Sequence, residues 1–310
     1  MMREMVAWSF YPGLLVVSLT AVALGLRAGF EPGILVTSVI LLSSLPILAA
    51  QRFMPAEERW RGKPKDFGLD LLHMLSTGIA TEGYRAVSIG LVTVGAVWLQ
   101  SVVGATLWPT EWPLWAQLGL ALLIGDFGAY WVHRTCHLYP FAWRIHAMHH
   151  SSERLYVFAS GRNHPMNAIL AYGSQLMPIT LLGAPLEAIA LLSVFTAVNG
   201  MLQHANVDLR HGVLNWVFAT ADLHRWHHSA DFDESNTNFG SNIILWDIVF
   251  GTRALPEGSP EEVGLTDVAL PDNFFAHLVS PFMLQRWEAA AREPVRLAAD
   301  ALEIEPVQAK

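Results

Sequence analysis

The chain contains a single cysteine, Cys136. That excludes an internal disulfide framework and any cysteine-rich zinc or iron–sulfur site. Charge is scarce too: Asp, Glu, Lys and Arg make up 15% of the 310 residues, against about 25% in soluble domains. The net charge is −8 with no basic stripe, which argues against nucleic acid as a partner. There is no G-x-G-x-x-G turn for a dinucleotide, no ferredoxin-type cysteine spacing and no appended haem segment. Electrons for any redox chemistry are therefore expected from a separate reductase or carrier.

Apolar sequence is abundant: 53% of the residues are hydrophobic. A transmembrane helix needs about 20 mainly apolar residues, and four stretches qualify, at 12–29, 33–51, 84–104 and 113–132. The expected fold is all-α, a polytopic membrane protein with about four transmembrane helices in two hairpins over 1–132. The first stretch lacks a strongly positive leader and a cleavage site, and is read as a retained anchor. Arg52, Arg59, Arg61, Lys63 and Lys65 lie between the second and third stretches, whereas the loop at 101–113 has no Lys or Arg. The positive-inside rule then puts 52–66 in the cytoplasm, and with it everything after the fourth helix. A catalytic region is expected over 133–254, interrupted by a membrane-dipping hairpin at about 166–203 that breaks near Gly183 and Pro185. A polar tail follows over 255–310, with a solvated amphipathic helix at 282–302.

The thirteen histidines are clustered. His133-x-x-x-His137 ends the fourth apolar stretch; His146-x-x-His149-His150 and His224-x-x-His227-His228 follow. Positions i, i+3 and i+4 share one face of a helix, so each box is expected to aim its two or three imidazoles at one point. One such box arises by chance; three in one chain call for a metal. Eight boxed histidines exceed the capacity of one ion, since a structural zinc takes four ligands and a catalytic zinc about three. Two metals close together are the simplest account, although imidazole suits iron, zinc, copper and nickel alike.

At these residues the chain resembles the fatty acid hydroxylase / sterol desaturase superfamily of integral membrane, non-haem di-iron enzymes. DFGAYWVHRTCH is similar to its first box, WRIHAMHHSSE to its second and LHRWHHSADFDESNTNFG to its third, with ILWDIVFGT closing the region. The resemblance covers Asp126 to Thr252. It implies a cytoplasmic helical domain with a histidine-rich di-metal site, two iron ions, O2 as co-substrate, a membrane lipid as substrate and an external electron donor. It also implies that His133, His137, His146, His149, His150, His224, His227 and His228 are ligands. His164 and His204 are carried over as further ligands between the boxes. The second H-x-x-x-H of some members is missing here, because Asp208 stands four residues after His204. The bland alternatives are that His164 caps the turn before Pro165 and that His204 is a buried hydrogen-bonding residue.

Asp126, Tyr130, His133 and His137 share a helical face, and a carboxylate inside an apolar helix is costly unless paired. Asp126 and Tyr130 are therefore expected to support the ligands, Asp126 by accepting a ring N–H or by bonding to a neighbouring helix. Asp222 and, more weakly, Asp247 are further supports. Asn238 reads as a turn residue and Cys136 as packing; Arg134, Arg144 and Arg225 are expected to face lipid phosphate or a carboxylate. The expected activity is hydroxylation or desaturation of a lipid such as a fatty acyl chain or sterol. A metal transporter would spread ionisable residues along its spans. A zinc-dependent membrane hydrolase would add a glutamate base, as in H-E-x-x-H, and no box contains one. A non-catalytic metal or haem scaffold leaves eight boxed ligands without a purpose.

Overall fold

The computed structural model describes residues 1–290, the side chains of residues 64, 65 and 89 excepted. Among the described residues no strand forms, and two isolated bridges, Phe218 with Ile243 and Ser229 with Val263, pair extended backbone. The chain is all-helical.

Proline and glycine punctuate it. Helix α1 (Met2–Arg27) turns through Gly29, at φ +81°, into α2 (Pro32–Phe53). The Glu31 carboxylate caps α2 by accepting from the amides of Gly33 (3.0 Å) and Ile34 (2.6 Å), with Pro32 at the first position, where its missing N–H costs nothing. Helix α3 (Pro64–Val103) bends by 40° between Ser88 and Gly90. A turn at 108–112 is held by Gln117, which accepts from the Trp108 indole (2.8 Å) and donates to the carbonyl of Trp112 (2.8 Å). Then come α4 (Leu114–Leu138), α5 (Pro140–His150), α6 (Pro165–Leu181) and α7 (Leu186–His204). The short helices α8 (Ala221–His227), α9 (Phe232–Ser235), α10 (Leu245–Phe250) and α11 (Phe274–Leu278) complete the order.

Helices α1, α2 and α7 are long and apolar enough to cross a membrane, and the two arms of α3 together make a fourth candidate. The number agrees with expectation; the membership differs. Gln117 and Asp126 interrupt the apolar run of α4, which falls short, whereas α7, from the expected dipping hairpin, qualifies. Helix α7 is also the most enclosed of these. Leu192, Val194, Val198 and Leu202 are buried against Tyr11, Leu15 and Val22 of α1 and Ile47 of α2. Outward, α1 to α3 expose Val17, Ile34, Leu42, Ile79 and Leu91, the surface a bilayer would cover.

Helices α4 and α6 meet backbone to backbone. A Cβ at Gly128 would lie 2.3 Å from the Ser174 carbonyl oxygen. Gly128→Val is therefore expected to destabilise the fold by about 1–3 kcal/mol through overpacking. A lowered thermal midpoint in detergent, compared with the open position Gly119, checks this.

The segment after residue 255 is not a free tail. Val268 and Leu284 are buried with Ala147 and Met148 of α5, and Trp143, Leu265, Leu270 and Trp287 pack around them. The apolar spacing expected to make one face of a solvated helix instead covers the back of α5. A helix does run over 280–290; the remainder of the expected stretch, 291–302, lies outside the described residues.

Candidate metal centre

Nine histidines converge, in two groups. The first is His133, His137, His146, His150 and His227; the second is His149, His204, His224 and His228. In each, one ring nitrogen per residue lies within 4.8 Å of the others. Helix α4 supplies two of these histidines, α5 three, the last residue of α7 one, and α8 with its C-cap three.

The boxes do not each aim at one point. In α5 the i, i+4 pair His146 and His150 faces the first group, and His149 turns to the second. In the third box the pair His224 and His228 faces the second group, and His227 turns to the first. The three members of H-x-x-H-H span too wide an arc for one centre, so both boxes straddle two. The groups abut, with the rings of His150 and His228 stacked at 4.5 Å.

The proton positions follow from the acceptors. Nδ1 of His133 donates to the Phe239 carbonyl (2.8 Å), His227 to that of Thr237 (2.8 Å), His204 to that of Gly200 (2.8 Å) and His149 to that of Arg162 (3.3 Å). His146 Nδ1 donates to Asn167 Oδ1 (3.1 Å). A carbonyl oxygen only accepts, so in these rings the proton sits on Nδ1 and a neutral imidazole presents a bare Nε2 inward. Burial, reinforced by neighbouring imidazoles, holds His146, His149, His150, His224 and His228 well below the ordinary histidine range; burial does the same for His227, beside His133. The neutral, ligating form is thus the one present at neutral pH.

Ring nitrogens face one another closely. The Nε2–Nε2 distances are 3.1 Å for His133–His146 and His146–His150, 3.2 Å for His204–His224 and 3.0 Å for His224–His228. Nε2 of His137 and of His227 are buried with no partner, which costs about 1–3 kcal/mol each unless something satisfies them. In the His133–His146 pair, where both protons sit on Nδ1, the facing lone pairs repel unless a cation lies between them. With metal–nitrogen bonds of about 2.1 Å, neighbouring ligands stand about 3.0 Å apart on an octahedral ion and about 3.4 Å on a tetrahedral one. The observed spacings of 3.0–3.2 Å are those of nitrogens that share a metal ion.

The remaining expected site residues fall outside these groups. His164 caps α6: its Nδ1 accepts from the Met166 amide (3.1 Å) and its Nε2 donates to the Leu278 carbonyl (3.1 Å), which leaves no nitrogen for a metal. Asp126 reaches no histidine. It accepts from the amides of Asn242 (2.7 Å) and Ile243 (2.6 Å), and from the Asn242 (2.7 Å) and Gln175 (3.2 Å) side chains, tying α4 to α6 and the 242–243 loop. The Tyr130 hydroxyl meets Thr252 (3.0 Å), and its ring lies against Phe239. Asp222 faces His211 (2.9 Å) and Asn215 (3.1 Å). Arg225 is buried and donates to the carbonyls of Ala205 and Val207, so it faces neither lipid phosphate nor a carboxylate.

Sequence reasoning missed the supports that do touch ligands: Asn167, the carbonyls of Thr237 and Phe239, and the Phe239 ring against His133, His137 and His227. The signal was NTNFG, read only as a turn. Asn238 is indeed in the left-handed region, at φ +55°. Asp247 accepts from the amides of Phe239 and Gly240, both at 2.7 Å, and so fixes the carbonyl that orients His133. Asn167→Ala removes the acceptor of His146. We expect metal affinity to fall about 10–100-fold, read by competition with a chelator.

The sequence model of the fatty acid hydroxylase family matches residues 118–252, the stretch from α4 to the end of α10. The chain is 34% identical over 292 residues to an ornithine lipid hydroxylase of Rhizobium tropici, covering 93% of this chain and 87% of that protein. It is 28% identical over 232 residues to an alkylglycerol monooxygenase of Xenopus tropicalis, covering 73% of this chain and 48% of the relative. A probable Δ7-sterol 5(6)-desaturase of Neurospora crassa is 29% identical over 155 residues, 48% of this chain and 42% of the relative. No solved structure matches the chain. With its two histidine groups and its lipid-oxidising relatives, the chain belongs to the fatty acid hydroxylase family of membrane oxidoreductases.

Proposed function

We propose that the nine-histidine centre holds two iron ions and that the protein uses O2 and externally supplied electrons to hydroxylate a lipid with an amino-acid headgroup. The observation that carries the metal is the set of closely spaced, inward Nε2 atoms, in two touching groups. The similarity to an ornithine lipid hydroxylase over nearly the whole chain suggests the substrate.

Bound iron would supply redox chemistry and a position for O2. In the overall reaction one oxygen atom enters a C–H bond as hydroxyl and the other leaves as water, with two electrons and two protons from the donor. The chain's residues do the rest. Backbone carbonyls and Asn167 keep the proton on Nδ1 in five of the nine rings, which holds their Nε2 atoms ready to ligate. The Phe239 ring and Trp143, which packs against His137 and His150 at 5.3 and 5.4 Å, shield the first group from water. Arg59, in the basic segment, donates to the carbonyls of Pro260 and Glu261, and Asn206, two residues past His204, receives the amides of Ala56 and Glu57. The basic segment and the centre share one end of the bundle, which supports a cytoplasmic site.

The test is expression in a host that makes ornithine lipids, with lipid mass spectrometry and iron analysis. We expect about two irons per chain, and an ornithine lipid that gains one oxygen atom. Loss of two hydrogens instead would make it a desaturase. Iron-loaded protein that alters no lipid would sink the reading.

A further inference from the structure

Beside the metal centre lies a second, polar cavity of about 210 Å³. It is bounded by the first turns of α3, by residues 151–154 after α5, by Arg162 and by the 265–277 segment. Pockets that engulf whole ligands measure about 300–1,000 Å³, so this one suits a headgroup rather than an acyl chain.

Its chemistry is mixed. Arg162 is buried, and its Nε donates to Asp70 at 2.5 Å. Among the described residues no hydrogen bond occupies its two terminal nitrogens, and Arg162 lines the cavity. A guanidinium with two open N–H groups is a carboxylate receptor. Across the cavity stand Asp66 and Glu153. Asp66 is paired with Arg154 at 2.7 Å, and Glu153 lies 3.8 Å from the same arginine with its side chain largely exposed. Each arginine is thus matched by a carboxylate, Asp70 or Asp66, and Glu153 adds a further negative charge at the rim. A purely anionic ligand would be repelled, whereas a zwitterion finds an acceptor for each charge.

The position is as telling as the charge. Ser151, on the cavity wall, directly follows the ligand His150, and the Arg162 carbonyl receives the Nδ1–H of His149. Asp66 sits where α3 starts its apolar run. A molecule held here has its polar end against residues that adjoin or bond to both histidine groups, and beside the start of the apolar run of α3.

We infer that this cavity binds a zwitterionic amino-acid headgroup, with its carboxylate on Arg162 and its ammonium toward Glu153 and Asp66. This rests on the proposed function and gives the headgroup of that substrate its site.

The test uses iron-loaded protein in detergent and equilibrium binding of N-dodecanoyl-lysine, dodecanoate, dodecylamine and free lysine. N-dodecanoyl-lysine is expected to bind at least about ten-fold more tightly than either singly charged amphiphile. Glu153→Gln, at an exposed position that leaves folding intact, is expected to cost most of that preference with iron content unchanged. Arg162→Gln should do the same for the carboxylate; its iron content and thermal midpoint report whether loss of the Asp70 pair has unfolded it. Equal binding of the three amphiphiles, or a preference indifferent to Glu153→Gln, overturns the inference. Free lysine binding as tightly as its acyl form overturns the lipid part and assigns the cavity to a free amino acid. If zwitterion binding holds but no lipid is oxidised, the proposed reaction falls and the pocket stands. If lipids are oxidised with a KM unmoved by Glu153→Gln, the pocket falls and the reaction stands.

Discussion

Replacing His149 by alanine should empty one metal group and leave the other filled, and His227→Ala should do the reverse. Were each box the cradle of one metal, His149→Ala would disturb the same site as His146→Ala. In the structure it does not: His149 belongs with His204, His224 and His228, and His227 with the ligands of α4 and α5. We expect each variant to fall from about two irons per chain to about one. The loss should be more complete for His149→Ala, which drops its group from four ligands to three, than for His227→Ala, which keeps four of five. Lipid oxidation should fall in both by more than the roughly 100-fold ascribed to a lost supporting hydrogen bond. His164→Asn, which preserves a cap at α6, should retain both metals. Metal analysis of the three proteins side by side decides the matter. A His164 variant that loses iron would show that the nine-histidine set is wrong.

Metal-free protein should collapse as pH falls through the histidine range. The six buried histidines outside the apolar spans whose affinity for protons is held well below normal stay neutral in the folded chain. In the unfolded chain they take up protons near pH 6.5. Below that pH the unfolded state binds more protons, so folding stability declines as pH drops and is fully present above it. Each group contributes about 1.4 kcal/mol per pH unit. Six acting together approach about 8 kcal/mol per unit, comparable to the whole stability of a domain. Iron-loaded protein should resist to lower pH, because protons must then displace metal as well as enter a buried site. Thermal midpoints of both forms between pH 7.5 and 5 check this; superimposable curves would show that the histidines are not held neutral by burial.

The site was legible where chemistry is carried by residue type and spacing, and illegible where it is carried by the main chain. Eight of the nine converging histidines stood out because histidine at i, i+3 and i+4 has no other economical purpose. His204 could be named only by likeness, since it stands alone at the end of an apolar helix. His164 failed because a histidine before proline serves equally well as a helix cap, and the sequence holds nothing to separate the two roles. The division of each box between two groups depends on how α5 and α8 are rotated against α4 and α7, which is a matter of packing. Asp126 was rightly singled out as needing partners inside an apolar helix. Those partners are the amides of a loop more than a hundred residues away, and spacing does not reveal them. In the fold, length and hydropathy marked the helices, but Gln117 and Asp126 lower the hydropathy of α4, whereas the unbroken helix α7 is apolar enough to cross a membrane.

The loop that orients His133 and His227 does so with carbonyl oxygens, and every amino acid supplies the same carbonyl. Thr237 and Phe239 can therefore vary without abolishing those two acceptors. Harmful change should concentrate on residues that hold the loop's path. Asn238 clasps Leu223 and Ala254 through its side chain, and Asp247 gathers two successive amides. In a screen of random variants, positions 238 and 247 should be depleted nearly as strongly as the histidines, while position 237 tolerates most replacements. The hidden constraint on this centre is written in residues that never touch a metal.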